Sequence, residues 1–276
     1  MPVLFLGHGS PMNAIEDNAW RRSWAALGGQ FGSSRRGSAY PRPQLILCIS
    51  AHWLTPGWRL TGMARPHTIH DFGGFPQALF EVQYPAPGAP AIARALANAL
   101  RQPATGAPMQ VDDGLGDAAW GLDHGAWGVL APMFPAADIP VIQLGMDYSR
   151  PLAEHVAVGQ QLQALRERGV LIVGSGNIVH NLRAFRAGPG RVPADDWAKS
   201  FDRLIADALQ EKDHAALCNA LNLGDISKLA HPTHEHLLPL FYCAGAAREN
   251  DTVRFFNEDF QAGSISMRSV IWSAPN

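Results

Sequence analysis

Short apolar runs alternate with amphipathic segments along the chain. Four runs contain almost no polar residues and are bounded by turn residues: Val3 to Leu6, Gln44 to Ser50, Val141 to Leu144 and Val170 to Gly174. Such runs are typical of strands that are covered on both faces, as in a parallel sheet. Two later segments, 252–256 and 264–272, predict further strands, and apolar residues alternate in the second. The pattern predicts one sheet with these strands at its centre.

The segments between the apolar runs have helical spacing. Pro151 to Arg168 predicts a helix with Ser149 as its N-cap and Gly169 as its stop signal. Apolar residues recur at helical spacing again over 197–208. Another helix is predicted to begin near Leu238, because the following proline fits only in a first helical turn.

No linker, repeat or low-complexity tract divides the chain. The Gly/Ser/Arg-rich stretch 28–40 is interpreted as a surface loop, because strand-like sequence resumes directly after it. We therefore predict one α/β domain over residues 1–276, with a central, largely parallel or mixed sheet flanked by helices.

Composition and charge narrow the classes of partner. The 276 residues are 47% hydrophobic and 17% charged, and the formal net charge is -2. This balance gives no electrostatic attraction to nucleic acid or to an anionic membrane surface. No apolar run approaches the roughly 18 residues of a membrane span, so we expect a cytoplasmic protein. Cys48, Cys218 and Cys243 lack C-x-x-C spacing and are predicted to be buried thiols.

Histidines follow three of the predicted strands. His8 lies between two glycines in GHGSP, His52 lies in SAHW, and His180 ends GSGNIVH. Because the carboxyl ends of parallel strands meet at one edge of the sheet, these histidines are expected to converge. His124 in WGLDHGAWG and His236 in HPTHEH lie in loop-like sequence. A group of neutral imidazoles suits Zn(II) or Fe(II).

A structural role is the alternative for each histidine taken alone. A histidine beside glycines is more often a hydrogen-bonding turn residue than a metal ligand. His155, on a predicted helix, and His214, in a polar stretch, are assigned to this structural class. The prediction of a metal site therefore depends on several histidines lying together, and no single histidine carries it.

Six motifs, taken in order along the chain, resemble one enzyme family. They are GHGSP, SAHW, TIHDFGGFP with QYPAPG, WGLDHGAWGVL, GSGNIVHNL and HPTHEHLLPL. They are similar to the LigB-type class III extradiol ring-cleaving dioxygenases, in particular to the branch named for 4,5-DOPA dioxygenase. The resemblance extends from Leu4 to the last strand. It implies an α/β fold with a metal site at the carboxyl ends of the strands.

The resemblance also implies a site. One divalent ion would be held by His8, His52 and His236, with His180 as either a fourth ligand or an acid/base residue. His124 would lie over the site and handle substrate or protons. A catechol and dioxygen together take three metal positions, which leaves one face of an octahedron for protein ligands. We expect Fe(II) for activity or Zn(II) as the bound metal, and O2 with a catechol such as DOPA as substrates.

Three residues of these motifs are candidate substrate-binding groups. His70 and Asp71 lie in TIHDFGGFP, and Asp123 precedes His124. Either carboxylate could orient a ring nitrogen, meet a substrate amine or cap a turn. Nearby aromatic residues could line a planar pocket or belong to the core: Trp53, Phe72, Phe75, Trp120 and Trp127.

Two other functions stay open at this point. One is a zinc-dependent hydrolase, in which metal-bound water attacks a carbonyl group. The other is a non-catalytic binding module like the Memo group, which shares the family fold. The presence of His124 and His180 favours an enzyme. His234 stands where relatives tend to have proline and is expected to be a surface substitution. The sequence does not predict the oligomeric state.

Overall fold

Eight strands form one mixed sheet through the middle of the protein. The computed structural model describes residues 1–32, 38–115, 120–186, 188 and 192–275. The strands in chain order are β1 (Val3–Gly7), β2 (Phe31–Gly32), β3 (Tyr40–Pro41), β4 (Leu45–Ser50), β5 (Arg59–Thr61), β6 (Gln110–Asp112), β7 (Val141–Gly145), β8 (Val170–Gly176), β9 (Thr252–Phe256), β10 (Phe260–Gln261), β11 (Ile265–Ser266) and β12 (Ser269–Ser273).

The centre of the sheet is parallel and its flanks contain antiparallel pairs. The strand order is β6-β5-β7-β4-β8-β1-β12-β9. The four central strands β7, β4, β8 and β1 run parallel to one another. Antiparallel pairs join β5 to β7, β1 to β12 and β12 to β9. The predicted sheet is thereby confirmed, and β1, β4 and β8 end at the same edge.

Helices cover both faces of this sheet. In chain order they are α1 (Ala19–Gly28), α2 (Gln77–Phe80), α3 (Pro90–Ala99), α4 (His124–Met133), α5 (Leu152–Leu162), α6 (Asp196–Gln210), α7 (His214–Cys218), α8 (Asp225–Ala230) and α9 (Leu238–Ala246). One apolar core contains residues of α3, α5, α6 and α9, and the other contains residues of α1 and α4. Val3 and Phe5 of β1 belong to the first core, whereas Leu4 and Leu6 belong to the second. The runs are continuously apolar because both faces of each strand are buried.

The structure corrects the predicted start and end of α5. Ser149 is not its N-cap, because the Ser149 hydroxyl donates a hydrogen bond to Asp147 Oδ1 at 2.6 Å and the helix follows Pro151. Gln163–Arg168 is a 3-10 helix rather than a continuation of α5. Gly169 ends this segment with φ 77°, as predicted for the stop signal.

The last predicted strand is interrupted. Residues 264–272 form β11, which pairs with β10, and β12, which pairs with β1 and β9. Between them, Met267 donates its backbone N–H to the Asp259 carbonyl at 2.8 Å. The predicted loop 28–40 includes residues 33–37, which lie outside the described residues.

Two of the predicted thiols, Cys48 and Cys243, are buried, and Cys218 is half-buried. No helix within the described part of the chain has the length and hydropathy to cross a membrane.

Candidate metal centre

Three histidines converge at the carboxyl edge of the central strands. His8 directly follows β1, His52 lies just beyond β4, and His236 lies before α9. Their ring centroids are 5.2 Å apart for His8 and His52, 5.2 Å for His8 and His236, and 5.0 Å for His52 and His236. One nitrogen from each ring falls in a group whose atoms all lie within 4.8 Å of one another. The structure therefore brings together the three residues that the resemblance implies as ligands.

Glycines allow the backbone to approach closely around this cluster. Gly9 has φ +59°, in the left-handed region that favours glycine, so the chain turns directly after His8. At the end of β8, a Cβ on Gly176 would lie 2.2 Å from the His236 carbonyl oxygen. A side chain at this position would displace His236. The glycines of GHGSP and GSGNIVH thus have identifiable steric roles.

Each of the three histidines has a side-chain oxygen near its Nδ1 atom. The pairs are His8 with Ser175 at 2.9 Å, His52 with Asp71 at 3.3 Å, and His236 with Glu235 at 3.0 Å. The Ser175 hydroxyl donates to the Gly125 carbonyl at 2.5 Å, so it accepts from the His8 ring. These hydrogen bonds assign the proton to Nδ1 in His8 and His236 and leave their Nε2 lone pairs for an ion, and the Asp71 carboxylate beside His52 Nδ1 favours the same tautomer there. The Nε2 atoms of His8 and His52 are 3.3 Å apart.

Burial keeps these rings neutral at physiological pH. It lowers the pKa of His8 and of His236 well below the ordinary value, and neighbouring histidines lower both further. Burial followed by the charge of His124 lowers the pKa of His52 to about 4, against the opposing effect of Asp123 and Asp71. A neutral imidazole is the form that binds a metal.

The donor set fits a single divalent transition-metal ion. Two imidazole nitrogens that each bind one ion at about 2.1 Å lie roughly 3 Å apart, which matches the His8–His52 separation. The three histidines supply no negative charge. The carboxylates of Asp71 and Glu235 lie behind His52 and His236, where they would partly offset the charge of a bound ion.

His124 lies beside the three-histidine cluster and is oriented by Asp71. Its ring centroid is 3.9 Å from that of His52. Asp71 Oδ1 accepts hydrogen bonds from His124 Nδ1 at 2.9 Å and from the His124 backbone N–H at 3.0 Å. Burial alone would raise the pKa of Asp71, but the hydrogen bonds and charges of His124, with that of His52, lower it to about 2. Asp71 is therefore ionised, and His124 Nε2 is available for proton transfer.

His180 lies flat against His236. Their ring centroids are 3.5 Å apart and their planes differ by 6°. Burial, followed by the charges of nearby histidines, lowers the pKa of His180 to about 3. Its ring nitrogen groups with Glu235 and His236 rather than with the set formed by His8 and His52. This stacked position places His180 beside the three-histidine cluster rather than within it.

The structure does not bring Asp123 to the substrate pocket. This residue is fully buried and caps α4 by accepting from the Ala126 backbone N–H at 3.1 Å. Its carboxylate also accepts from Ser50, from Gln143 and from Trp120, at 2.5, 2.6 and 3.1 Å. The alternative of a capping carboxylate is correct, and Asp123 positions the start of α4 and hence His124.

His70 also lies away from the pocket wall. Its Nε2 atom is 3.0 Å from the Val82 carbonyl oxygen, and its ring packs against Phe72, Phe80 and Trp127. A contact with substrate is not supported by this position. His70 supports Phe72, which does line the pocket.

A cavity of about 500 Å³ opens over the histidines. His8, His52, His124, His180 and His236 all line it, together with the following residues: Gly9, Ser10, Pro11, Phe72, Phe75, Leu182, Phe185 and Ile265. Of the predicted aromatic wall, Phe72 and Phe75 belong to this cavity. Trp53 and Trp127 are buried in the core instead. The ring centroids of Trp53 and Trp120 are 6.2 Å apart in a stacked pair.

The sequence analysis did not single out several residues of the site. Ser175 and Glu235 hydrogen-bond to His8 and His236, and Leu182, Phe185 and Ile265 line the cavity. Ser175 lies within GSGNIVH and Glu235 within HPTHEH, so motif membership is the available signal. Leu182 ends the motif GSGNIVHNL and so has the same signal, whereas Phe185 lies outside the six motifs, and isolated apolar residues are common on surfaces. The expected surface residue His234 is half-buried and stacks on Tyr148 at 4.0 Å.

Comparisons with known proteins agree with this geometry. A family model described as the catalytic LigB subunit of aromatic ring-opening dioxygenase matches residues 2–268. The 4,5-DOPA dioxygenase extradiol of Escherichia coli (strain K12) is 46% identical over 273 residues, which are 98% of this chain and 94% of the relative. The protein of the same name from Beta vulgaris is 35% identical over 271 residues, which are 97% of this chain and 94% of that relative.

A solved structure has the same fold. The crystal structure of an uncharacterized protein from Escherichia coli K12 matches with a TM-score of 0.80 at 40% identity, over 99% of this chain and 100% of that chain. The family match and the two curated relatives each extend over nearly the whole length. The chain therefore belongs to the LigB family of aromatic ring-opening dioxygenases, and its function is extradiol ring cleavage, as the six motifs predict.

Proposed function

We propose that the protein cleaves the ring of a catechol of the DOPA type with O2, at one divalent metal ion held by His8, His52 and His236. The observation that carries this assignment is the pairing of each ligand ring, at Nδ1, with a separate oxygen. That arrangement aims three neutral nitrogens at one point. The names of the relatives from Escherichia coli and Beta vulgaris support a substrate with a 3,4-dihydroxyphenyl ring.

Fe(II) bound by these residues supplies redox chemistry toward O2, which Zn(II) does not supply. We propose Fe(II) for the active enzyme, although the same nitrogens also suit Zn(II).

His124 is the proposed general base. Its Nδ1–H is donated to the ionised Asp71, so Nε2 is free to accept a proton from a catechol hydroxyl. The Asp71 carboxylate then stabilises the positive charge that forms on the ring. His180, on the same cavity, is positioned to hold or return a second proton as the ring opens.

The cavity walls bind the aromatic ring and exclude water. Phe72, Phe75 and Ile265 present apolar surface beside the histidines. When the planar ring of a catechol lies between these walls, its two hydroxyl groups face the histidine cluster and replace solvent there. The sequence-based expectation of a cytoplasmic protein without nucleic-acid or membrane partners stays a prediction.

Oxygen uptake tests this proposal. The protein is stripped of metal, loaded anaerobically with Fe(II), and mixed with DOPA, catechol, protocatechuate and dopamine. We expect oxygen consumption together with visible absorbance from a yellow muconic semialdehyde, and none from Zn(II)-loaded protein. The proposal would be overturned if fully Fe(II)-loaded protein consumed no oxygen with any of these compounds. That result would favour the hydrolase or the binding module instead.

A further inference from the structure

Two large apolar side chains are exposed at the mouth of the cavity. Leu182 is 64% exposed and Phe185 is 40% exposed, yet both line the same cavity as the histidines. Neither residue is part of the histidine cluster or its hydrogen-bonded partners. Adjacent exposed apolar side chains at a pocket are typical of a surface that a ligand covers.

The segment that carries these side chains is held in place. Asn181 is buried, and its side chain accepts from the backbone N–H groups of Arg183 and Ala184 at 2.9 and 3.2 Å. It also donates to the Leu229 carbonyl at 2.8 Å. Because Asn181 directly follows His180, the exposed residues and the site are built on one short segment. The backbone at Leu182 is thus held close to the histidines.

The cavity lining contains no fixed counter-charge for a substrate substituent, and Arg183, between Leu182 and Phe185 in sequence, is exposed and is not among the described lining residues. Among its described lining residues there is no Lys, Arg, Asp or Glu. The nearest carboxylates behind the cluster, Asp71 and Glu235, already partner histidine rings. On the segment beyond the mouth, Arg186 is paired with Asp195 at 2.7 Å. A charged group that entered the cavity would lose hydration without gaining an ion pair.

We propose that Leu182 and Phe185 form the contact for the substituent of the catechol ring, and that the site binds uncharged, apolar substituents more tightly than charged ones. The placement rests on the proposed function, because the diol has to face the histidines for the substituent to reach the mouth. DOPA then binds with its ammonium and carboxylate groups extended past Leu182 and Phe185 into water. A neutral chain of similar length instead covers the two side chains.

Binding to Zn(II)-loaded protein tests this contact without requiring turnover. Dissociation constants are measured by calorimetry for catechol, 4-propylcatechol, dopamine, 3,4-dihydroxyphenylpropionate and DOPA. We expect 4-propylcatechol to bind about 10-fold more tightly than DOPA or either singly charged compound, since a few methylene groups in an apolar contact give 10-fold or more. Charged compounds that bind as tightly as 4-propylcatechol would overturn the proposal.

Substitutions locate the contact. In the double variant Leu182→Ala/Phe185→Ala, the preference for 4-propylcatechol over catechol is expected to fall about 10-fold. Leu204→Ala is the matched control, since Leu204 is 48% exposed on α6 and does not line the cavity; it should keep the preference. Leu182→Ser serves if circular dichroism shows that the double variant is unfolded. An unchanged preference in the folded variant would overturn the contact.

The two proposals fail in different ways. If 4-propylcatechol binds with the expected preference but Fe(II)-loaded protein consumes no oxygen, the contact at Leu182 and Phe185 stands and the proposed function fails. If Fe(II)-loaded protein cleaves the catechols but Zn(II)-loaded protein binds all of them with the same dissociation constant, the proposed function stands and the contact fails. If no catechol binds the Zn(II)-loaded protein, the contact is overturned as well.

Discussion

Two regions of this protein that contain buried histidines differ in which ring nitrogens have a partner. At the carboxyl edge of the sheet, His8, His52 and His236 each have Nδ1 near an oxygen and Nε2 toward the shared cluster. On α5, His155 has a partner on both ring nitrogens: the Tyr242 hydroxyl at 2.7 Å and the Arg150 carbonyl at 3.3 Å. Both regions are buried, but only the first leaves nitrogens for a ligand.

The two regions also use opposite ring tautomers. The Tyr242 hydroxyl accepts from Trp58 Nε1 at 2.7 Å, so it donates its own proton to His155 Nδ1. The His155 proton is then on Nε2 and bonds to the Arg150 carbonyl. In the site, His8 and His236 carry the proton on Nδ1. Burial lowers the pKa of His155 to about 4, as it does for His52, so a low pKa by itself does not identify a site.

Removing one of the three clustered histidines should have the largest effect. We expect His8→Ala to lose nearly all bound metal after dialysis, and with it the oxygen uptake, because two nitrogens do not hold a divalent ion as three do. His214→Ala, on α7 and outside the cluster, should keep the metal. Metal content is measured by plasma emission spectrometry. Full occupancy in both His8→Ala and His236→Ala would contradict the assigned ligand set.

Removing the base should separate chemistry from metal binding. His124→Ala is expected to retain the metal and to lose about 10² to 10⁴-fold in kcat, the usual contribution of a positioned acid or base. The measurements are oxygen uptake and metal content on the same sample. A variant that kept more than about a tenth of the wild-type kcat would show that His124 does not transfer a proton in the slow step.

Changing the shared carboxylate should have an intermediate effect. Asp71→Asn keeps the size of the side chain but removes the charge that lies behind His52 and His124. We expect metal affinity or kcat to fall about 10 to 100-fold, as for other residues that orient ligands. Asp225→Asn, whose side chain is 92% exposed on α8, is the matched control. Equal behaviour of the two variants would exclude a positioning role for Asp71.

Protonation of His155 at low pH should have the smallest effect. It should lower the free energy of unfolding without involving the histidine cluster. Its pKa is lowered from 6.5 in the unfolded chain to about 4, so the unfolded chain binds a proton first as the pH falls. The contribution of His155 to the free energy of unfolding is fully present above about pH 6.5 and is lost as the pH falls toward 4. Between about pH 7.5 and pH 5.5 the expected loss is about 1 kcal/mol.

Urea unfolding of metal-free wild type and His155→Gln at several pH values measures this contribution. The charged or titratable groups that act on His155 are Asp147, His234 and Tyr242, and all three remain in the variant. Their effects cancel in the difference. We expect the free energy of unfolding to fall less steeply with decreasing pH in His155→Gln. Parallel curves would show that His155 does not titrate in this range.

Part of the site followed from local sequence. Continuous apolar runs identified β1, β4 and β8, and the rule that parallel strands end at one edge placed His8, His52 and His180 together. Pro239 correctly placed His236 before a helix. Ser149 was misassigned as a cap because its hydroxyl has a competing acceptor, Asp147, two residues away. Local spacing does not decide between two such partners.

The roles of the other site residues required the fold. Asp71 and Asp123 each adjoin a motif residue, but the first faces two histidines and the second faces Ser50 and Gln143 across the sheet. Nothing in the neighbouring sequence distinguishes them. His70 lies in the same motif as Asp71, but its ring faces the Val82 carbonyl, Phe80 and Trp127, whereas Asp71 faces His52 and His124.

The sequence by itself determined the layers of the protein and the kinds of groups at its active edge, because burial on both faces demands continuous apolar runs and glycines permit the tight turns beside His8. Only the tertiary structure decided which nitrogen of each histidine is free. That choice depends on oxygens from residues far along the chain, such as Ser175 for His8 and Tyr242 for His155. Hydrogen bonds act over about 3 Å in space, so their partners become defined only once the chain has folded.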